Sequence, residues 1–185
     1  MKAWKHFKTI TYHKWLVCKG CFAVGLYRQG LMHDLSKYSP AEFFVGARYY
    51  QGDRSPNNAE RETLGYSTAW MHHKGRNKHH YEYWSDYSLN GGLRPVPMPR
   101  RYITEMFMDR IAASKVYLQG AYTDEAPLAY YRKGKDRRLL HEKTRRHLEF
   151  LLNMLAREGE KKTFKYIKNR YLRAGTFYVQ KNKIQ

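Results

Sequence analysis

Two adjacent residues, His33 and Asp34, are followed three positions on by Lys37. The same chain carries His13 upstream, the pairs His72/His73 and His79/His80 downstream, and a later Asp109. Imidazole nitrogens and carboxylate oxygens are ligands of divalent ions, so the first chemistry this set suggests is a metal site. On a helix, neighbours such as His33 and Asp34 point roughly 100° apart. They meet one ion only if the backbone there turns both toward a shared cavity. Cys18 and Cys21 form a C-x-x-C pair. With no second pair and no strand pattern beside it, the pair reads as two small apolar residues on one helix face rather than as a zinc or redox motif.

The elements that must position these residues read almost throughout with a 3.6-residue repeat, which predicts an all-α fold. A first helix is expected over 4–27, with Trp15, Leu16, Cys18, Phe22 and Leu26 at helical spacings and Gly30 at or just past its end. Ser39-Pro40-Ala41-Glu42 is a helix-start signal: Ser39 as cap, Pro40 at the first helical position and Glu42 closing a capping box. That helix is expected over 40–50, with a loop over 51–58 and a further helix from 59 toward Gly75 carrying Trp70 and His73. Residues 89–99, with two glycines and three prolines, read as a second loop. Pro99 then opens a long helix that carries Asp109 and stops before Gly120. Thr123 or Asp124 caps a short helix. A last helix is expected over 136–157, with Leu140, Leu148, Leu151, Leu152 and Leu155 as an apolar stripe. Trp70 and Trp84 read as packing residues.

The 185 residues suit one domain of ordinary size, taken here as 1–160 with a basic, aromatic extension over 161–185. Thirty-five Lys and Arg against sixteen Asp and Glu leave a net charge of +19, so anionic partners are expected: phosphate esters, nucleotides, nucleic acid or acidic lipid. An aromatic content of 16% argues for a packed chain despite the polar average. The stretch 10–26 is broken by His13, Lys14, Lys19 and Gly20, which excludes a membrane span or secretory core and makes the cytoplasm the expected location.

Around these residues, the segments HDLSKYSPAEF, HHKGRNKHHYEYW and MDRIAASK resemble the HD-domain superfamily of metal-dependent phosphohydrolases, and closest of all a small bacterial HD-like family of uncharacterised function. The resemblance covers roughly residues 8–120. It implies an HD-domain-like helical bundle, continued by the basic helical C-terminal extension, with a metal held between helices by a His on an early helix, the His-Asp pair and a late Asp. Those positions are His13, His33, Asp34 and Asp109. In related sequences the histidine-rich motif reads His, then Asn and two adjacent His, then Pro-Glu. His73, Asn77, His79, His80 and Glu82 fit, with Tyr81 where proline is usual.

On this reading His13, His33, Asp34 and Asp109 fill four positions of an octahedral ion and leave two for water and substrate. One histidine from each pair gives six ligands, enough for two ions bridged by Asp34. His73 and His80 are favoured, with His72 and His79 as alternates. The donor set suits Mn, Fe, Co, Ni, Zn or Mg, and the lack of thiolate argues against a structural zinc. The implied activity is hydrolysis of a phosphomonoester, a nucleotide or a cyclic dinucleotide by metal-activated water. Asp34 is then both ligand and catalytic residue, and Lys37 neutralises the phosphoryl group with help from Arg76 or Lys115; Arg110 is a weaker candidate. Two other readings stay open. The same ligands could hold two irons that activate oxygen. Alternatively, the last third of the chain could bind nucleic acid without catalysis. Between Arg132 and Gln185 there are seventeen Lys and Arg against five Asp and Glu, interleaved with Tyr166, Tyr171, Phe177 and Tyr178.

Overall fold

A helix whose residues are buried on every side must be surrounded by others, and residues 103–108 are buried without a gap. They belong to α6 (Arg100–Leu118), the spine of a computed structural model that describes residues 1–134 and 139–174. The fold is all-α, with eight α-helices and one two-stranded hairpin among the described residues. On one side α6 packs against α1 (Lys2–Ala23), and on another against α8 (Glu142–Tyr166). The shared core runs through Val17, Cys21, Ile103, Phe107, Ile111, Leu148, Leu151, Leu152 and Leu155. The leucine stripe expected of the last helix is therefore core.

Around the spine lie short elements that carry the polar residues. α2 (Tyr27–Met32), a 3-10 turn (Leu35–Tyr38) and α3 (Pro40–Arg48) follow α1. α4 (Pro56–Leu64), α5 (Thr68–Arg76) and a second 3-10 turn (Tyr81–Tyr83) come next. β1 (Ser85–Tyr87) and β2 (Leu93–Pro95) then pair antiparallel, with Asp86 opposite Arg94. After α6 a short α7 (Ala126–Arg132) leads to α8. Among the described residues no helix is long and apolar enough to cross a membrane.

Several sequence expectations are corrected. The first helix stops at Ala23, and the chain re-enters helix as α2. Gly30 ends nothing: it is buried inside α2, where a Cβ would meet Cys18, Cys21 and Phe22 at 3.1–3.2 Å. The buried face of α1 is His6, Ile10, His13, Val17 and Cys21, while Trp15 is 55% exposed. Trp15, Phe22 and Leu26 recur at helical spacings, but the polar His13 belongs to the inward stripe. Gly65, at φ 81°, splits the expected helix from 59 to 75 into α4 and α5. The loop over 89–99 contains β2. Both cysteines are free, and burial raises the Cys21 thiol pKa, as suits packing residues.

The last helix was expected from 136 to 157, and its first positions lie outside the described residues. Gly159, at φ 76° and ψ 170°, interrupts α8 two residues past the expected end. Phe150 and Tyr166 are sixteen residues apart, which on a straight helix would separate them by about 24 Å. Their ring centroids are 5.5 Å apart, so the chain doubles back at Gly159. The returning segment ends in a π-helical turn (Ile167–Tyr171) whose Ile167 and Tyr171 enter the same core. The extension from residue 161 is thus continuous with the main bundle as far as it is described.

His6 and Gly46 show how closely α1 and α3 must approach. His6 is buried, and its pKa is lowered to about 4 by burial and by the Lys37 charge. A Cβ at Gly46 would sit 2.5 Å from His6 Nε2. Gly46→Ala should therefore cost about 1–3 kcal/mol by overpacking, seen as a lower thermal midpoint. An unchanged midpoint would mean that the two helices tolerate separation.

Candidate metal centre

The His-Asp pair meets the geometric condition set by its adjacency because it does not lie on a helix. His33 follows the end of α2 with extended backbone (φ −52°, ψ 127°), and Asp34 takes a left-handed conformation (φ 54°, ψ 23°) before the 3-10 turn. Aspartate is one of the few residues with a side chain that enters this region at low cost. The break swings both side chains toward one point between α1, α5 and α6. Lys14 on α1 secures it, donating to the carbonyls of Leu31 at 2.6 Å and His33 at 2.7 Å.

Beside a trio of His33, His79 and Glu105, two larger ligand groups converge there, and they share Asp34. In the first, Asp34 Oδ2 lies 3.3 Å from His33 Nε2 and 3.8 Å from His13 Nε2, while Asp109 Oδ1 is 2.9 Å from His13 Nε2 and 3.8 Å from His33 Nε2. In the second, Asp34 Oδ1 lies 3.2 Å from His73 Nε2 and 3.4 Å from His79 Nε2, with His80 completing the group.

These atoms fit a metal better than they fit one another. The Nε2 atoms of His13, His33, His73, His79 and His80 and both carboxylate oxygens of Asp34 are buried without a hydrogen bond of acceptable geometry. That holds even for the 2.9 Å pair of His13 and Asp109. Buried polar atoms are almost always hydrogen-bonded, and seven such atoms facing common points form an orphaned donor set. Adjacent ligands of an octahedral ion at about 2.1 Å stand about 3.0 Å apart, close to the spacings seen here. These buried groups could hold a metal ion.

The model of a family of unknown function, DUF5662, matches residues 2–154. The chain belongs to that family. No curated protein and no solved structure matches it. The stretch shared with DUF5662 takes in both ligand groups, from His13 to Asp109.

Two buried glutamates form the next layer, and sequence reasoning passed over both as site residues. Glu105 lies one turn before Asp109 on α6 and accepts at a single oxygen, Oε1, from Nδ1 of His33 at 3.0 Å and of His79 at 3.2 Å. The i, i+4 spacing of Glu105 and Asp109 was the available signal. Glu42 holds His73 Nδ1 at 2.7 Å and His72 Nδ1 at 2.6 Å. The expected capping box is therefore not formed: Ser39 makes no side-chain cap, and the Glu42 carboxylate turns inward. Carboxylates on Nδ1 leave Nε2 as the lone-pair nitrogen and fix the ring direction. Asn77 ties α5 to the turn before α3, donating to Ser36 Oγ at 2.8 Å and to the His73 carbonyl at 2.9 Å.

Charge at the site is held by opposition. Burial raises the Asp34 carboxyl pKa, but the charges of His33 and Lys37 outweigh this and hold it far below the usual range. Burial likewise works against the His33 imidazolium, and Asp34 overcomes it, raising the His33 pKa to about 9. His13 is lowered by burial and by Lys37, and His80 by burial and the neighbouring His79 and His73.

The remaining candidates are placed as follows. Lys37 Nζ is 2.5 Å from Asp34 Oδ2, and its side chain is 29% exposed. With Asp109 at 20%, it forms the open rim, whereas the His13, His33, Asp34, His73 and His79 side chains are at most 9% exposed. His72, an alternate ligand, faces Glu42 instead of the centre. His80 lies between His79, tilted against it with ring centroids 4.0 Å apart, and the Trp70 ring, edge-to-face at 4.6 Å. Arg76 is exposed and donates to the His72 carbonyl. Lys115 pairs with Glu160 at 2.5 Å, and Arg110 lies over the Tyr131 ring. Neither Arg76 nor Lys115 is brought to the ligand groups.

Glu105→Ala should weaken metal binding at both groups by about 10–100-fold each, while Glu42→Ala should weaken only the second, as read by metal titration of stripped protein. Equal losses from the two substitutions would refute this layering. Because His33 must lose a proton to offer Nε2, metal affinity should rise with pH up to about 9. Calorimetry at pH 7 in buffers of different ionisation heat should record proton release, and none would contradict the His33 assignment.

Proposed function

We propose that the chain is a metal-dependent phosphohydrolase of the HD type, acting on a phosphate ester or nucleotide through activated water at a centre of one or two divalent ions. The observation that carries this reading is the sharing of Asp34 between two orphaned ligand groups with the Lys37 ammonium at their rim. A divalent ion held by His13, His33, Asp34 and Asp109 would lower the pKa of a bound water and polarise a phosphoryl oxygen. A second would fall to Asp34, His73 and His79 with His80.

The chain's own residues supply the rest. Asp34 presents one oxygen to each group. Glu105 and Glu42 hold the imidazoles with Nε2 facing inward, so little reorganisation is needed when substrate arrives. Lys37 stands at the exposed edge, where a phosphate would approach, and its ammonium offsets the charge that builds on the phosphoryl oxygens. Its pKa is raised, burial notwithstanding, by Asp34 and Asp109, so it stays charged at neutral pH. A Lys ammonium at a solvent-facing edge of the ligand groups favours an anionic substrate.

The donor set and bridging carboxylate suit a di-iron oxygenase equally well, and that is the second reading. Protein purified without added metal should be assayed for bound elements and then screened against phosphate esters. Asp34→Ala should lose metal and activity together. Lys37→Ala should keep its metal and lose about 10²–10³ in turnover. Full metal and activity in Asp34→Ala would end the proposal. Iron with a visible band under air, and oxygen uptake without phosphate release, would assign the oxygenase.

A further inference from the structure

α1 carries a second, aromatic face that the core does not use. Trp4, Lys8, Tyr12, Trp15, Lys19 and Phe22 recur at intervals of three and four residues and so form one stripe along the helix. Val17, which is fully buried, is two residues from both Trp15 and Lys19, about 200° round the axis. The stripe therefore lies opposite the side that carries His13, Val17 and Cys21 inward. Trp4, Tyr12 and Trp15 are each more than half exposed. The face continues into α2: Tyr27 meets Phe22 edge to face with ring centroids 5.1 Å apart, and Leu31, one turn on, is 58% exposed. Single exposed apolar residues are ordinary, but a run of them across two helices marks an interaction surface.

Charge selects the partner. Residues 1–33 hold five Lys and one Arg and no Asp or Glu. Lys5, Lys8, Lys19 and Arg28 are exposed and have no acidic partner among the described residues. Lys8 stands 5.2 Å from the Trp4 ring centroid and Lys19 5.4 Å from that of Trp15, contacts that leave the ammonium charge unneutralised. A second copy of this face would set like charge against like charge. Nucleic acid would stack its bases on free ring faces. Here Trp4 is already stacked on Phe7 at 5.6 Å and Tyr12 on Trp15 at 5.9 Å, and the aliphatic Leu31 offers a base no stacking partner. Indole and phenol rings beside lysines, with an aliphatic side chain at one end, match the boundary between acyl chains and anionic headgroups.

We propose that this face of α1 and α2 rests on the surface of an anionic lipid bilayer. Trp4, Tyr12, Trp15 and Phe22 enter the boundary between headgroups and acyl chains, while Lys5, Lys8, Lys19 and Arg28 meet the anionic headgroups. α1 lies along the surface rather than through it, because its other side is packed into the core. His13 is buried on that other side, so the surface does not depend on the metal centre.

The test is cosedimentation of the full chain with vesicles of phosphatidylcholine alone and of phosphatidylcholine mixed with phosphatidylserine, in EDTA so that no metal bridges protein and lipid. Wild type should bind the anionic vesicles about tenfold or more tighter than the neutral ones. Trp4→Ser with Trp15→Ser, which leaves the net charge unchanged, and Lys8→Glu with Lys19→Glu should each weaken that binding about tenfold or more. Lys161→Glu with Lys168→Glu makes the same change of charge at exposed positions elsewhere, and should weaken it by less than about threefold. All these residues are exposed, so each variant should keep the wild-type thermal midpoint, and the lysine pair of α1 serves as the test should the tryptophan variant fail to fold. No binding of wild type to anionic vesicles, binding untouched by the tryptophan substitutions, or equal losses from the two lysine pairs would overturn the proposal. Binding of oligothymidylate in place of vesicles, or a concentration-dependent dimer, lost in either case with Trp15→Ser, would assign the face to nucleic acid or to a second copy and overturn it likewise.

Discussion

A carboxylate with 2% of its side chain exposed, held among five imidazoles, is the constraint around which this molecule is arranged. Burying a charge costs several kcal/mol unless opposite charge or hydrogen bonds compensate. Yet neither Asp34 oxygen has a well-formed hydrogen bond. Compensation comes mainly from the charges of His33, Lys37 and His73. That is a poor substitute for a divalent ion but enough to hold the ligands apart at coordination-like spacing. The left-handed backbone at Asp34 belongs to the same arrangement. A residue in regular helix could not share a focus with its neighbour, so the break between α2 and the following turn is a condition of the site.

Helix packing then sets the precision. α6 supplies Asp109 to the centre and Glu105 to the layer behind it, while its other faces are sealed into the core with α1 and α8. α1 contributes His13 from within its buried stripe. Ligands carried by close-packed helices cannot drift independently, which suits a centre whose chemistry depends on tenths of an ångström. His33, His73 and His79 are also each fixed by a glutamate through the nitrogen that faces away from the centre.

Much of this was legible in the chain. The helical repeat announced an all-α fold, the leucines of α8 announced core, and the resemblance carried by the surrounding motifs picked out His13, His33, Asp34 and Asp109, although no feature of the sequence shows that they meet. Where reading failed, two local signals competed and tertiary context chose. Glu42 sits in a standard capping pattern, but two histidines thirty and thirty-one residues away offered stronger partners. Gly30 looked like a terminator, yet α2 crosses α1 there too closely for a side chain. Trp15 belonged to an apolar periodicity that is less buried than the one containing His13.

By itself the sequence determined that the fold is all-α, which side chains offer nitrogen and oxygen atoms that could bind a metal, and how strongly positive the chain is, because periodicity, side-chain chemistry and net charge are local or additive properties. Only the tertiary structure decided that Asp34 divides its two oxygens between two ligand groups, that His72 turns away while His79 joins, and that Glu105 ties both groups together. Those are matters of distance between segments up to about a hundred residues apart. Such distances are set by how helices pack, which no single segment encodes.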